Sequence, residues 1–190
     1  MSTDTPDSSA DDVPSRAALA ARVEELETEL DQLDGGDDTK KMSIIATKGT
    51  LDMAYPPLIL ASTAAAFDYE VTVFHTFWGL DILHEEHSTD LKLSSVGNPN
   101  MPVPNIVGAI PGMDRVTTKM MERRIDDNDT ATIQELIETS LEMGVEFQAC
   151  QMTMELLEYD EDEFYDGVTT GVGAATALQD MADADIQLLV

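Results

Sequence analysis

From Met42 to Val190, short apolar runs alternate with stretches of helical period. Ser43–Thr47, Val71–His75, Val145–Ala149 and Ile186–Val190 have the length and β-branched or aromatic content of buried strands. Phe164–Thr169 is a weaker fifth. Between them lie helical patterns at Met53–Phe67, Trp78–His87, Arg115–Arg124, Thr130–Met143, Met152–Glu158 and Gly173–Ala184. Asp52 stands where a cap for the first helix belongs. Pro56-Pro57 reads as part of its opening turn, where proline is tolerated. Alternating strands and helices predict an α/β fold: an open, doubly wound, mainly parallel sheet of about five strands, with helices on both faces. Ligands of such sheets usually lie beyond the carboxyl ends of the strands. That rule selects Lys48-Gly49, His75–Gly79 and Cys150 as loops able to share one site.

The segment before Met42 has another pattern. Residues 1–15 are Ser, Thr, Asp and Pro with few apolar side chains, which predicts a disordered acidic tail. Leu19, Val23, Leu26, Leu30 and Leu33 are spaced 4, 3, 4, 3, a heptad seam with Glu24, Glu25, Glu27, Glu29 and Asp31 outside it. Residues 16–36 therefore predict a short coiled-coil-like helix closed by Gly35-Gly36. Its seam would serve either docking on its own domain or self-association into a homo-oligomer. The α/β domain is expected over 42–190. Gly97–Pro111 holds four of the eight prolines and predicts a loop.

Charge changes the picture less than its size suggests. There are 38 acidic and 10 basic side chains in 190 residues, a net of −28, of which residues 1–41 carry only −8. The domain itself is acidic, so direct binding to nucleic acid or to an anionic membrane is disfavoured. An acidic partner-binding surface and adaptation to high salt compete as explanations. The even spread of acids favours a halophilic protein, because hydrated carboxylates tolerate the short screening length of about 3 Å near 1 M salt. No apolar stretch of spanning length and no secretory pattern occur, which points to a cytoplasmic protein without a membrane span.

The single cysteine rules out an intrachain disulfide and a cysteine-rich zinc module. Cys150 ends an apolar strand and opens a short helix, a place where a thiol is drawn toward its nucleophilic thiolate. Glu146 and Glu155 oppose that effect. A small buried hydrophobe is the other reading of a free cysteine.

The run Val145-Glu146-Phe147-Gln148-Ala149-Cys150-Gln151-Met152-Thr153-Met154 resembles the cysteine motif of the DsrE/DsrF-like sulfur-relay superfamily, in the branch with a Cys-Gln-Met-Ser/Thr-Met signature. Ile44–Asp52, Phe74–Leu80, Met101–Asn105, Ile110–Met113 and Glu163–Ala174 agree with that branch, and residues 42–190 are covered. The resemblance implies a parallel α/β fold, homo-oligomers and a persulfide-carrying cysteine. By it, Cys150 would accept sulfane sulfur from a carrier such as a TusA-like protein or a rhodanese and pass it to a partner thiol. No metal or other cofactor is implied. The alternatives are an oligomeric interaction scaffold with a structural cysteine and a thiol peroxidase-like redox protein. A peroxidatic cysteine usually has Thr or Ser three residues earlier, where this chain has Phe147, and no resolving cysteine exists.

Other signals are weaker. His75 is either a core histidine or a site-lining one. Lys48 is either a surface lysine or an attractor of anionic sulfur species, and Trp78, Gln151 and Met152 flank the same loops. His84 and His87 are spaced i, i+3 with Asp81 a turn earlier, which fits a solvated helix face better than a metal site. Gly171-Val172-Gly173 lacks the Rossmann spacing and reads as close packing. The charge distribution makes one prediction. Denaturant unfolding should show higher stability in about 1 M KCl than in dilute buffer, and equal midpoints would remove the case for salt adaptation.

Overall fold

The computed structural model describes residues 15–33, 39–94 and 113–190. Residues 1–14 of the acidic tail, the Gly35-Gly36 linker and the whole Pro-rich loop predicted above lie outside the described residues. Two units are present, the helix α1 (Arg16–Leu33) and the body from Thr39 to Val190, and each is described by itself. α1 follows the heptad pattern, and Leu19, Val23 and Leu26 are exposed along it. Arg22 pairs with Glu25 at 2.6 Å, one turn on.

The body holds five parallel strands: β1 (Lys41–Ala46), β2 (Glu70–His75), β3 (Glu146–Cys150), β4 (Thr169–Val172) and β5 (Ile186–Leu189). Their order is β4-β3-β2-β1-β5. The chain steps outward from β1 to β4 and then returns to pair β5 with β1. Right-handed crossovers therefore place the helices of the outward steps on one face and that of the return on the other. The first group is α2 (Leu51–Ala66), α3 (Met113–Asp127), α4 (Ile133–Glu142) and α5 (Gln151–Leu157), and the last helix is α6 (Ala174–Asp183). This is the doubly wound α/β architecture.

Strand alternation sorts the side chains. Ile44, Val73 and Phe147 are in register across β1, β2 and β3, all fully buried, and share a face with His75 and Ala149. α2 packs on β1 and β2, with α4 against it, and Leu58 and Ile137 complete that core. Gln148 points to the other face, where its amide donates to Asp180 of α6 at 3.0 Å. α4 opens on a capping box between Thr132 and Glu135, an arrangement worth about 1 kcal/mol.

Four local expectations change. Trp78–His87 is not one helix: 3₁₀ turns cover Phe77–Ile82 and His87–Asp90, and His84 between them bridges to Phe164. That bridge also takes Phe164 out of the weak fifth strand, which lies at Thr169–Val172 instead. Asp52 is not the cap of α2. Thr50 holds that position without a side-chain bond, and Asp52 accepts the N–H of Ser94 at 2.9 Å. Pro56 and Pro57 fall in the second turn of α2, and the helix continues through them with Pro57 buried. In β4 the register against β3 slips at Gly171, whose φ of 74° suits glycine at a bulge.

The most constrained contact is between backbones at the carboxyl end of the sheet. A Cβ at Gly49 would collide with the Trp78 carbonyl, and one at Gly79 with the Ala46 carbonyl. Gly49→Ala or Gly79→Ala should cost about 2 kcal/mol or more, a fall in Tm of roughly 5 °C or more for a domain this size. Gly173, with open space around its Cβ position, is the control. Gly173→Ala should change stability by less than about 1 kcal/mol.

Candidate functional site: a thiol at a strand-to-helix junction

Cys150 is the last residue of β3 and the N-cap of α5, with extended backbone angles. It is 4% exposed. The pairing of His75 with Ala149 makes Thr76 its lateral neighbour just past the end of β2. The 3₁₀ turn that follows brings Thr76 and Phe77 over the first turn of α5. Thr76 Oγ1 lies 3.2 Å from Thr153 Oγ1, and the Phe77 N–H donates to Thr153 Oγ1 at 3.1 Å. Burial alone would push the Cys150 thiol up. The hydroxyls of Thr153 and Thr76 and the backbone N–H groups of Thr153 and Met152 outweigh it, and the net direction is down from the ordinary thiol value. Polar surroundings of this kind favour the thiolate.

The turn is anchored from beneath. His75 is fully buried, edge-on to Phe147 at 5.7 Å between centroids, and its Nδ1–H donates to the Gly79 carbonyl at 2.9 Å. Burial lowers its pKa to about 4, against a smaller opposing effect of the Gly79 bond. Its place is in the core, behind the turn. The Thr76 N–H donates to Ala46 O and the Gly79 N–H to Thr76 O, both at 3.0 Å. Phe77 has φ of 49°, an unfavourable region for an aromatic residue, and that angle accompanies the N–H contact with Thr153.

The other residues singled out from sequence are spread around the same edge. Gly49 supports the turn under Trp78. Trp78 and Met152 are exposed, as are Phe77 and Leu156. Lys48 is exposed at the end of β1, two strands from Cys150. Gln151 donates to Glu155 at 3.0 Å. Sequence reasoning missed Thr76, Thr153 and the Phe77 N–H. A signal existed for Thr153, since a hydroxyl three residues after a helix-opening cysteine can turn back toward it. None existed for Thr76, which approaches through strand register.

A second polar cluster sits around Asp81. Tyr159 O–H donates to Asp81 Oδ1 at 2.6 Å and His87 Nδ1 lies 3.1 Å from the same oxygen. His84 stacks on His87 at 3.9 Å, accepts the N–H of Glu86 at Nδ1, and sits 3.8 Å from Glu163. Burial, aided by His87, lowers the His84 pKa. Burial and the bond to Asp81 raise that of Tyr159. Among the described residues no group of three or more His, Cys, Asp or Glu is arranged to hold a metal ion. No described helix is long and apolar enough to cross a membrane.

The fold and this edge define a parallel α/β protein with one thiol set between a central strand and a helix. The chain belongs to the DsrE/DsrF/DrsH-like family, matched over residues 38–189. It is 44% identical over 161 residues to the "Sulfur carrier protein DsrE2" of Allochromatium vinosum, covering 80% of this chain and 99% of the relative. It is 33% identical over 159 residues to "Uncharacterized protein YrkE" of Bacillus subtilis, covering 81% and 99%.

His75 generates a pH prediction. Its folded pKa of about 4 lies below the unfolded value of about 6.5. Between the two the unfolded chain binds the extra proton, so this group's contribution to stability falls as pH drops from about 6.5 toward 4. The NMR shifts of the His75 ring protons should stay flat from pH 8 to about 5. A midpoint near 6.5 would show that the ring is not held neutral in the core.

Proposed function

We propose that this protein is a sulfur carrier that holds sulfane sulfur as a persulfide on Cys150. The observation that carries this reading is the place of the chain's one cysteine, at the end of β3 and the start of α5, where its surroundings draw the thiol below its ordinary value despite burial. The near-complete coverage of a relative named as a sulfur carrier supports it. In the loading step the Cys150 thiolate attacks the outer sulfur of a donor persulfide. A new S–S bond forms, the donor S–S bond breaks, and its electron pair leaves on the donor thiolate. In the unloading step an acceptor thiolate attacks the outer sulfur and Cys150 leaves as thiolate. One cysteine suffices, because each second thiol belongs to a partner. No cofactor takes part.

The partners are sulfur-relay proteins, with a TusA-like carrier or a rhodanese as the donor or acceptor. Lys48, Trp78, Gln151 and Met152 form the rim such a partner meets, and the apolar seam of α1 joins copies of the chain. A second reading has one observation in its favour. At 4% exposure, Cys150 also suits a structural cysteine in a non-catalytic scaffold.

Inorganic polysulfide separates the two. The wild type should gain one sulfur atom by intact mass, reversibly with dithiothreitol, and Cys150→Ala should gain none. An unmodified wild type, or the same gain in Cys150→Ala, would overturn the carrier reading.

A further inference from the structure

We infer that the cavity between α3 and the segment Asp90–Leu93 binds a doubly charged tetrahedral oxyanion, free or as the end group of a small molecule. The site shares no lining residue with the surroundings of Cys150 and goes beyond the sulfur-carrier reading. Its volume is about 340 Å³, and it is lined by Asp90, Lys92, Arg115, Thr118, Lys119 and Glu122. That volume lies within the range of small-molecule sites, about 300–1,000 Å³. Three of the ten basic side chains thus line one hollow of a chain that has 38 acidic ones. Three bases stand against two acids there, so the lining is positive inside a protein of net charge −28.

With carboxylates in such excess, a base readily finds an acidic partner. Lys41 does so with Glu70 at 3.0 Å, and Arg22 with Glu25 at 2.6 Å. Lys92, Arg115 and Lys119 form no ion pair among the described residues, although Asp90 and Glu122 line the same cavity. Their donors are left for a ligand.

The walls that carry these bases are fixed. Arg115, Thr118, Lys119 and Glu122 are spaced i, i+3, i+4 and i+7, which puts them on one face of α3. Thr118 is 5% exposed, and its Oγ1 accepts the Leu93 N–H at 3.0 Å, tying that face to the opposite wall. A hydroxyl also has one proton to give, and that of Thr118 goes to no described residue. On the opposite wall the Lys92 carbonyl accepts the Leu51 N–H at 2.9 Å, and Asp52 accepts the N–H of Ser94 at 2.9 Å. Lys92 is therefore held by its main chain at the start of α2, past the carboxyl end of β1, the end at which open α/β sheets take ligands.

The donor set names the ligand. A guanidinium presents paired N–H groups that match two oxygens of a phosphate-type group, and each ammonium adds a compact charge. None of the three can accept a hydrogen bond, so the complement is an anion with several acceptor oxygens. The field of the whole protein repels anions at long range, and Asp90 and Glu122 repel them at short range. A double charge gains enough from three cations to overcome both.

The experiment titrates full-length ¹⁵N-labelled protein with inorganic phosphate, and separately with glycerol 2-phosphate, at an ionic strength held constant with KCl. The Leu93 and Lys119 amide signals should shift and saturate. Saturation by phosphate alone would assign the site to the free ion, and tighter binding of glycerol 2-phosphate would assign it to an end group. Arg115→Gln and Lys119→Gln should each weaken binding by about tenfold or more, the scale of a charge-assisted hydrogen bond. Asp90→Asn should tighten it by roughly two- to fivefold, as expected for removing one exposed opposing charge. Lys40→Gln, which removes an exposed base outside the cavity, should leave it unchanged. Shifts that stay linear in both titrations would overturn the proposal. So would equal affinity in wild type, Arg115→Gln and Lys119→Gln, or an equal loss in Lys40→Gln, because that would trace the effect to net charge.

Discussion

The arrangement at Cys150 depends on one close approach between backbones. The turn after β2 lies against the end of β1 with no side chain between them at Gly49 and Gly79. That contact leaves no room for a side chain at either glycine. His75 pins it from the core through the Gly79 carbonyl, and the Thr76 N–H continues the β1 ladder by one bond. With the turn held on three sides, Phe77 is left at a positive φ and its N–H meets Thr153. The thiol environment is thus built by a turn from one strand and a helix from the next. Neither segment would make it alone.

The arrangement also reconciles two readings of the cysteine that look opposed. Low exposure normally marks an inert thiol, because burial disfavours its charge. Here the surroundings outweigh the burial, and the thiol is drawn below its ordinary value. Exposed Phe77, Trp78, Met152 and Leu156 lie on the turn and helix that make the site. The acidic surface then sets a condition on any partner. In that strongly negative field, long-range attraction favours a basic surface.

Much of this was legible in the chain. Five strands, their parallel pairing and most helix spans follow from the alternation of short apolar runs with helical periods. β-strands buried on both faces and amphipathic helices write their periods directly into the residue order. Cys150 at a strand-to-helix junction was equally plain. The misreadings share a cause. Trp78–His87 has helical spacing, yet its carbonyls and side chains are claimed by distant groups: Phe164 bridges His84, and Tyr159 takes Asp81. Asp52 looks like a cap and is claimed by Ser94. Local propensity is weak enough that one long-range bond decides such cases.

What the sequence by itself determined is the set of elements, the fold class and the one residue able to carry thiol chemistry, because these depend on periodicity and residue type. The tertiary structure alone decided that His75 is a buried anchor, that Thr76 meets Thr153 at the start of α5, and that Phe77 points its N–H at Thr153. Those facts arise from register between strands and from the depth at which a turn is held, and no short window of residues encodes either. Cys150 and Thr76 are 74 positions apart in the chain and become neighbours only because β2 and β3 pair in parallel with one particular register.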